Sequence, residues 1–374
     1  MAIGVDKPIS ILVVDDSAFM RKAITMMLES DPNIKVVGTA RDGEEGVEKV
    51  RLLKPDLVTM DIEMPRMDGL TALREIMRST PTPVMMISSI TTEGAQATLE
   101  ALDLGAVDFI PKQMSYVSLD IVKIKDELLA KIKDIARRKS LLMSQHRQRQ
   151  FNQLGKTTLE QPRTTGAMIK STGSASPIRG MRKRQEAVGI VAIGSSTGGP
   201  PALQSVITRL PRNFPVGIVI AQHMPPTFTK SLAERLNSLS QITVREATDG
   251  EKIEPGLVLV APGGRNLTVK KRGASGYVSV STEPVNTLYK PCVDVMVNSV
   301  ADAYGGATMG VILTGMGNNG VIGMQNIRAR GGVIIAQNEE SCVVYGMPRA
   351  VIEAGVADHI APIENIAAEI VSYF

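Results

Sequence analysis

Tryptophan is absent from this chain of 374 residues, and phenylalanine and tyrosine contribute only 6 each. With so few large rings, a core must be built from Val, Ile, Leu, Met and Ala, which is an α/β composition. The two cysteines, Cys292 and Cys342, lack the close paired spacing of a zinc knuckle or redox pair and read as reduced thiols of a cytosolic core. Histidine is scarcer than in most enzymes, with 3 in all, so any imidazole chemistry has few places to sit. No apolar run approaches the roughly 20 residues that a spanning helix needs, and Met1 to Lys7 is not an apolar signal segment. The expectation is a cytoplasmic protein with no membrane insertion, which would meet any membrane-borne substrate from the cytoplasmic side.

Acidic residues are scarce in one stretch only. Between Arg137 and Arg184 stand 12 Lys and Arg against the single acid Glu160, a local +11 in a chain whose total is +4, so the remainder carries −7. The basic charge therefore marks a connector, not a nucleic-acid surface. That stretch has no recognition helix and Phe151 as its one aromatic ring of the Phe, Tyr and Trp kind, too few for a stacking surface, so no nucleic-acid partner is expected. The length suits two domains plus that connector. The expected divisions are 1–139, a flexible basic linker at 140–186, and 187–374. From Ile9 onward, β-branched runs at Ile9-Val14, Ile34-Thr39, Leu57-Met60, Val84-Ile87 and Val107-Ile110 alternate with amphipathic stretches, the last a helix from about Ser118 to Lys139. A second series runs through Val188-Ile193, Val216-Ala221, Leu257-Ala261, Tyr277-Val280, Gly310-Thr314 and Val333-Ala336. The predicted fold class is α/β, with two doubly wound parallel-sheet domains, the first flavodoxin-like and the second Rossmann-like.

Asp15 and Asp16 follow the first predicted strand and Asp61 the third, so three carboxylates converge on the carboxyl edge of one sheet, where open α/β sheets bind ligands. Clustered carboxylates repel one another and call for a hard divalent cation such as Mg²⁺. Such a cation also lets a carboxylate attack a phosphoryl group, with Asp61 the expected nucleophile. Ser88 ends the fourth strand and Lys112 follows the fifth, bringing a hydroxyl and an ammonium to the same edge. With the string DIEMPRMDGL at Asp61 to Leu70, the stretch from residue 9 to about 130 resembles a response-regulator receiver domain. The resemblance implies Asp61 as phosphoacceptor, Asp15, Asp16, Asp61 and the Glu63 main-chain carbonyl as Mg²⁺ ligands, and a histidine kinase as phosphodonor. It further implies Ser88 as switch hydroxyl, Phe109 as switch aromatic and Lys112 as phosphate sensor. The family usually carries proline after that lysine, where this chain has Gln113.

In the second half, VAIGSSTGGPPAL at Val191 to Leu203 reads as strand, small-residue turn and helix start, with Pro200 and Pro201 suited to a first helical turn. A hydroxyl there faces backbone N–H groups and a positive helix end, which favour an oxyanion, although such turns also bind phosphates. His223 ends the next strand in IVIAQHMPP, and TGMGNNG, Thr314 to Gly320, ends a later one. Paired with Ser196, His223 reads as a general base. His146 falls in the linker, and His359, after a short late strand, reads as structural. IGSSTGG, AQHMPP, LTGMGN and PCVD at Pro291 to Asp294 together resemble the catalytic domain of CheB-type receptor methylesterases, over residues 187 to 374. The resemblance implies Ser196 as nucleophile, His223 as base, and backbone amides near Thr197 and Met316 as the oxyanion hole, with no cofactor for this domain.

Asn319 stands where the family carries the third triad member, an aspartate. Either its oxygen holds the imidazole without adding charge, or Asp294 serves from a neighbouring element. Cys292, where the family tends to serine, reads as a packing substitution. The function implied is a phosphorylation-activated esterase that removes γ-methyl esters from glutamates of methyl-accepting chemotaxis receptors, with receptor glutamine deamidation by the same chemistry. The alternative is a receptor-binding pseudoenzyme that keeps the phosphorylation switch while Asn319 lowers hydrolysis.

Overall fold

The computed structural model describes residues 7–112, 120–144 and 186–374. Gln113, His146 and most of the expected linker lie outside those residues.

In the first domain, strands β1 (Ile9–Val14), β2 (Ile34–Ala40), β3 (Leu57–Asp61), β4 (Val84–Ser89) and β5 (Asp108–Lys112) form one parallel sheet in the order β2-β1-β3-β4-β5. Helices α1 (Ala18–Glu29), α2 (Gly43–Leu53), α3 (Gly69–Ser79), α4 (Thr92–Asp103) and α5 (Asp120–Arg137) supply the crossovers. Strand β3 is buried at every position, as expected for a sheet covered on both faces. The helix starts are set by sequence. Ser17, Asp42, Asp68 and Thr91 each accept a backbone N–H from the first turn of α1 to α4 with a side-chain oxygen, satisfying donors the helix leaves free. Helical chain continues at 139–144, here α6, and buries Leu142 and Met143, so it runs past the boundary expected at 139.

The second domain holds a seven-stranded parallel sheet in the order β15-β14-β13-β6-β7-β10-β8. Its central strands, β6 (Ile190–Ser195), β7 (Gly217–Gln222), β10 (Leu257–Val260), β13 (Thr308–Ile312) and β14 (Val333–Gln337), match the apolar runs seen in the sequence. Strands β8 (Thr243–Glu246) and β15 (His359–Ala361) are short edges. Helices α7 (Gly199–Ile207), α8 (Pro226–Leu239), α9 (Val293–Tyr304), α10 (Val321–Ala329), α11 (Met347–Glu353) and α12 (Ile363–Val371) cover the two faces.

One expected member of the parallel series differs. The run at Tyr277-Val280 lies in β12 (Ser275–Ser281), which pairs antiparallel with β11 (Asn266–Arg272) and with β9 (Lys252–Ile253) in a separate three-stranded sheet. Only Gly273 and Ala274 separate β11 from β12, far too few residues for a parallel crossover. His359 also departs slightly from expectation, since it opens β15 instead of following it. Its Nε2 meets the Tyr373 hydroxyl at 2.6 Å, which agrees with a structural role.

The two domains touch. Helix α4 packs on α7 and α8, Phe109 of β5 stacks on Phe228 of α8 with centroids 4.6 Å apart and planes at 16°, and Asp103 pairs with Arg235 across the seam. Phe228 is fully buried. Among the described residues, no helix is long and apolar enough to cross a membrane.

Candidate active site and phosphoacceptor pocket

Ser196 and His223 follow directly on the neighbouring parallel strands β6 and β7. The His223 amide donates to the Ser195 carbonyl, and the buried side chain of Gln222 ties the two strand ends together. Its Nε2 donates to the carbonyls of Ser196 and His223 at 2.9 and 3.3 Å, while its Oε1 accepts from the Ser195 hydroxyl at 2.6 Å. Helix α7 begins just beyond, after Gly198 in the left-handed region (φ 72), and Pro200 and Pro201 fall in its first turn. No side chain caps α7, so its first N–H groups are not satisfied in the way those of α1 to α4 are. A Cβ on Gly198 would come within 2.5 Å of Val343, so position and conformation both require glycine.

From β13 the chain runs back across this serine. The Ser196 amide donates to the Thr314 carbonyl, and a Cβ on Gly315 would lie 2.9 Å from that of Ser196. Thr197 is buried and Met316 half-buried beside it. The structure thus brings the serine turn and the Thr314-to-Gly320 loop together.

His223 Nε2 lies 2.9 Å from Asn319 Oδ1, and the ring stacks on Tyr289 with centroids 4.3 Å apart. Its Nδ1 is buried without a hydrogen-bond partner, so Ser196 and His223 are neighbours here but not yet bonded. Burial pushes the imidazole down to about 4, against the upward pull of its Asn319 bond. The imidazole is therefore neutral at physiological pH. Asn319 Oδ1 also accepts from the Val293 amide at 2.7 Å, while its Nδ2 donates to Asp294 Oδ2 at 2.9 Å and faces Cys292 Sγ at 3.2 Å. Asp294, one of the two candidates for the third position, is thus one bond removed from the ring. Cys292 does more than pack, because its sulfur touches Asn319.

In the first domain, Asp15 and Asp61 are buried and Asp16 is exposed, with carboxylate oxygens all within 4.8 Å of one another. Lys112 Nζ lies 2.6 Å from Asp61 Oδ2 and 3.1 Å from Asp15 Oδ2. Burial pushes the Asp61 carboxyl up to about 6, with Lys112 opposing and Asp15 reinforcing the rise. Three hard oxygen donors around one point suit a small divalent cation. Glu63 is exposed beside them. Ser88 is turned elsewhere: its hydroxyl donates to the Gly94 carbonyl at the start of α4, 3.0 Å away. Phe109 points into the domain seam described above.

Gln222 and Tyr289 are the site residues that sequence reasoning missed. Gln222 sits in AQHMPP beside the histidine, but only the paired strands show that its amide spans both strand ends. Tyr289 lies far from His223 in sequence, in a loop with no local signal.

A phosphoacceptor-type pocket on one parallel sheet and a serine–histidine site on another define a receiver-linked hydrolase. A CheB methylesterase profile matches residues 191–370, and a response regulator receiver domain profile matches residues 11–121. The chain is 50% identical over 364 residues to the protein-glutamate methylesterase/protein-glutamine glutaminase 2 of Nitratidesulfovibrio vulgaris, covering 97% of this chain and 99% of that one. It is 48% identical over 365 residues to the corresponding protein of Lawsonia intracellularis, covering 97% and 98%. The crystal structure of the Thermotoga maritima CheB methylesterase catalytic domain is 44% identical, with a TM-score of 0.49, covering 50% of this chain and 100% of that chain. The chain belongs to the CheB family of receiver-linked methylesterases.

Proposed function

We propose that the chain is a phosphorylation-activated serine esterase that hydrolyses glutamate γ-methyl esters on methyl-accepting chemotaxis receptors and deamidates receptor glutamines, acting in the cytoplasm. One observation carries this reading: His223, at the end of the strand beside the one that leads to Ser196, is a neutral imidazole held through Nε2 by Asn319, with Nδ1 unbonded. Relatives of nearly the same length carry both activities in their names.

His223 takes the Ser196 proton as Oγ attacks the ester carbonyl. Backbone N–H groups near Thr197 and Met316 hold the developing oxyanion. The imidazolium then returns the proton to the departing methanol, and water repeats the sequence on the acyl-enzyme. Deamidation follows the same path with ammonia as leaving group. Asn319 orients the ring without charge, so the imidazolium is stabilised less than a carboxylate would stabilise it.

For control, Asp15, Asp16, Asp61 and the Glu63 carbonyl would hold Mg²⁺, which shields the negative charge of a phosphoryl group arriving from a histidine kinase. Phosphorylated Asp61 would attract Lys112 and the Ser88 hydroxyl. Drawing Ser88 from Gly94 loosens the start of α4, the helix that packs on α7 and α8. Phe109 and Phe228 would then separate and admit the receptor.

Methanol release from methylated receptors tests the reading. Native protein with a phosphodonor should release methanol, and Ser196→Ala should lower the rate by a factor on the order of 10³ or more. Undiminished release from Ser196→Ala would overturn the assignment. No release from native protein, with none gained in Asn319→Asp, would favour the pseudoenzyme.

A further inference from the structure

Asn319 can present either its oxygen or its nitrogen to the ring, and only one choice leaves a working base. Its neighbours decide. The Val293 N–H points at Oδ1 from 2.7 Å, and the Asp294 carboxylate faces Nδ2 at 2.9 Å. Turning the amide over would set two donors against each other at Val293 and two acceptors against each other at Asp294. Each of those clashes leaves a partly buried polar group unsatisfied. With the oxygen held toward His223, Nε2 must carry the ring proton and Nδ1 must be the lone-pair nitrogen.

Asp294 is itself held. Its other oxygen, Oδ1, accepts from the Gly323 amide at 2.9 Å in the first turn of α10, so both oxygens are committed as acceptors. Cys292 Sγ, 3.2 Å from Nδ2, stands by the second amide hydrogen as a weak acceptor. We propose that Asp294 is a positioning residue: it locks the Asn319 amide, and through that amide the Nε2–H tautomer of His223, so that Nδ1 is the nitrogen free to take the Ser196 proton. This inference rests on the esterase reading of Ser196 and His223. The negative charge missing beside the imidazole is present one hydrogen bond away and acts on tautomer and orientation.

The substitution Asp294→Asn gives that position one acceptor and one donor where two acceptors are needed, so the Asn319 amide loses its preferred orientation. A carboxylate at 319 offers the ring an acceptor whichever way it turns. The test therefore compares Asp294→Asn in the native chain with Asp294→Asn in the Asn319→Asp background, using phosphodonor-treated full-length protein and methylated receptors. The expected result is a fall in kcat of at least about tenfold in the native background, toward the roughly 10⁴-fold cost of a wrong tautomer in the serine-protease triad. KM should hold, and the same change in the Asn319→Asp background should cost under about twofold. Nitrogen NMR of the His223 ring should show Nε2–H in the native protein and a growing Nδ1–H population in Asp294→Asn.

Equal losses in both backgrounds would mean that Asp294 only anchors α10, and would overturn the proposal. An Nδ1–H ring in the native protein would overturn it independently of any activity. Failure of the esterase reading shows itself separately, as methanol release that survives Ser196→Ala while the NMR result still decides the tautomer.

Discussion

The two sheets carry their polar groups at the same place, the carboxyl edge, yet they manage burial in opposite ways. In the receiver pocket, Asp15 and Asp61 are buried as carboxylates and meet a cation directly, Lys112 Nζ, at 3.1 and 2.6 Å. In the esterase site, His223 meets a neutral amide, and the nearest carboxylate stands behind that amide. Burial drives each group toward its uncharged form, raising Asp61 to about 6 and lowering His223 to about 4. Above about pH 6 Asp61 is still charged beside Lys112, as the proposed cation site would need. His223 is uncharged at that pH, which is what the proposed proton abstraction from Ser196 would require.

The largest effect that would sharpen this contrast is at the proposed base, His223. His223→Ala should lower methanol release by a factor on the order of 10⁴, and adding Ser196→Ala should cost little more, because nucleophile and base act as one unit. Losses that multiply in the double variant would show that the two residues work separately. On the receiver side, Asp61→Asn should remove the response to phosphodonor. Stimulation that persists in that variant would place the phosphoryl group on another residue.

Much of this contrast was legible in the sequence because each residue proposed to react lies within three residues of the end of an apolar run: Asp15 and Asp61 in one half, Ser196 and His223 in the other. Strands written as continuous Val, Ile and Leu declare a parallel sheet, and a parallel sheet declares its carboxyl edge. What stayed hidden depends on side chains meeting across long separations. Nothing local marks Gln222 as the clamp between β6 and β7, Tyr289 as the ring lying on His223, or Asp294 as the group behind Asn319. The antiparallel pair β11 and β12 escaped for a different reason. The alternating burial of β12 from Ser275 to Ser281 follows a period of two, but its small polar residues carry a weaker signal than a fully apolar run. The receiver resemblance implies Phe109 as a switch aromatic, but its partner Phe228 belongs to another domain, and no pattern within either domain announces that stack.

A middle-sized effect probes that seam. Phe109→Ala removes the ring that lies 4.6 Å from Phe228 and leaves every proposed esterase residue in place. If the stack helps hold the receiver over the site, methanol release without phosphodonor should rise several-fold and the phosphodonor should add less. An unchanged basal rate would detach the stack from control. The seam ion pair should matter less: Asp103→Ala, which breaks the partnership with Arg235, removes a half-exposed pair of the kind generally worth about 1 kcal/mol or less.

The smallest effect is in the pH dependence of stability, and it separates the two sites by sign. Asp61 has a folded value raised from 3.8 to about 6, so its contribution to stability is present below 3.8 and is lost as pH rises through about 6. His223 has a folded value lowered from 6.5 to about 4, so its contribution is present above 6.5 and is lost as pH falls through about 4. Across the same window the two slopes oppose each other in the metal-free protein. Asp61→Asn removes the falling slope, so its melting temperature should climb more steeply with pH than that of the native chain, while His223→Gln should climb less. Identical slopes in all three proteins would show that neither group is shifted by burial as described. Magnesium supplies an independent check on the receiver half, because a cation competes with protons for the same carboxylates. Its thermal stabilisation of the native chain should therefore be larger at about pH 7.5 than at about pH 5, and the difference should shrink in Asp61→Asn. A shift of equal size at both pH values would place the cation away from the Asp15, Asp16 and Asp61 cluster.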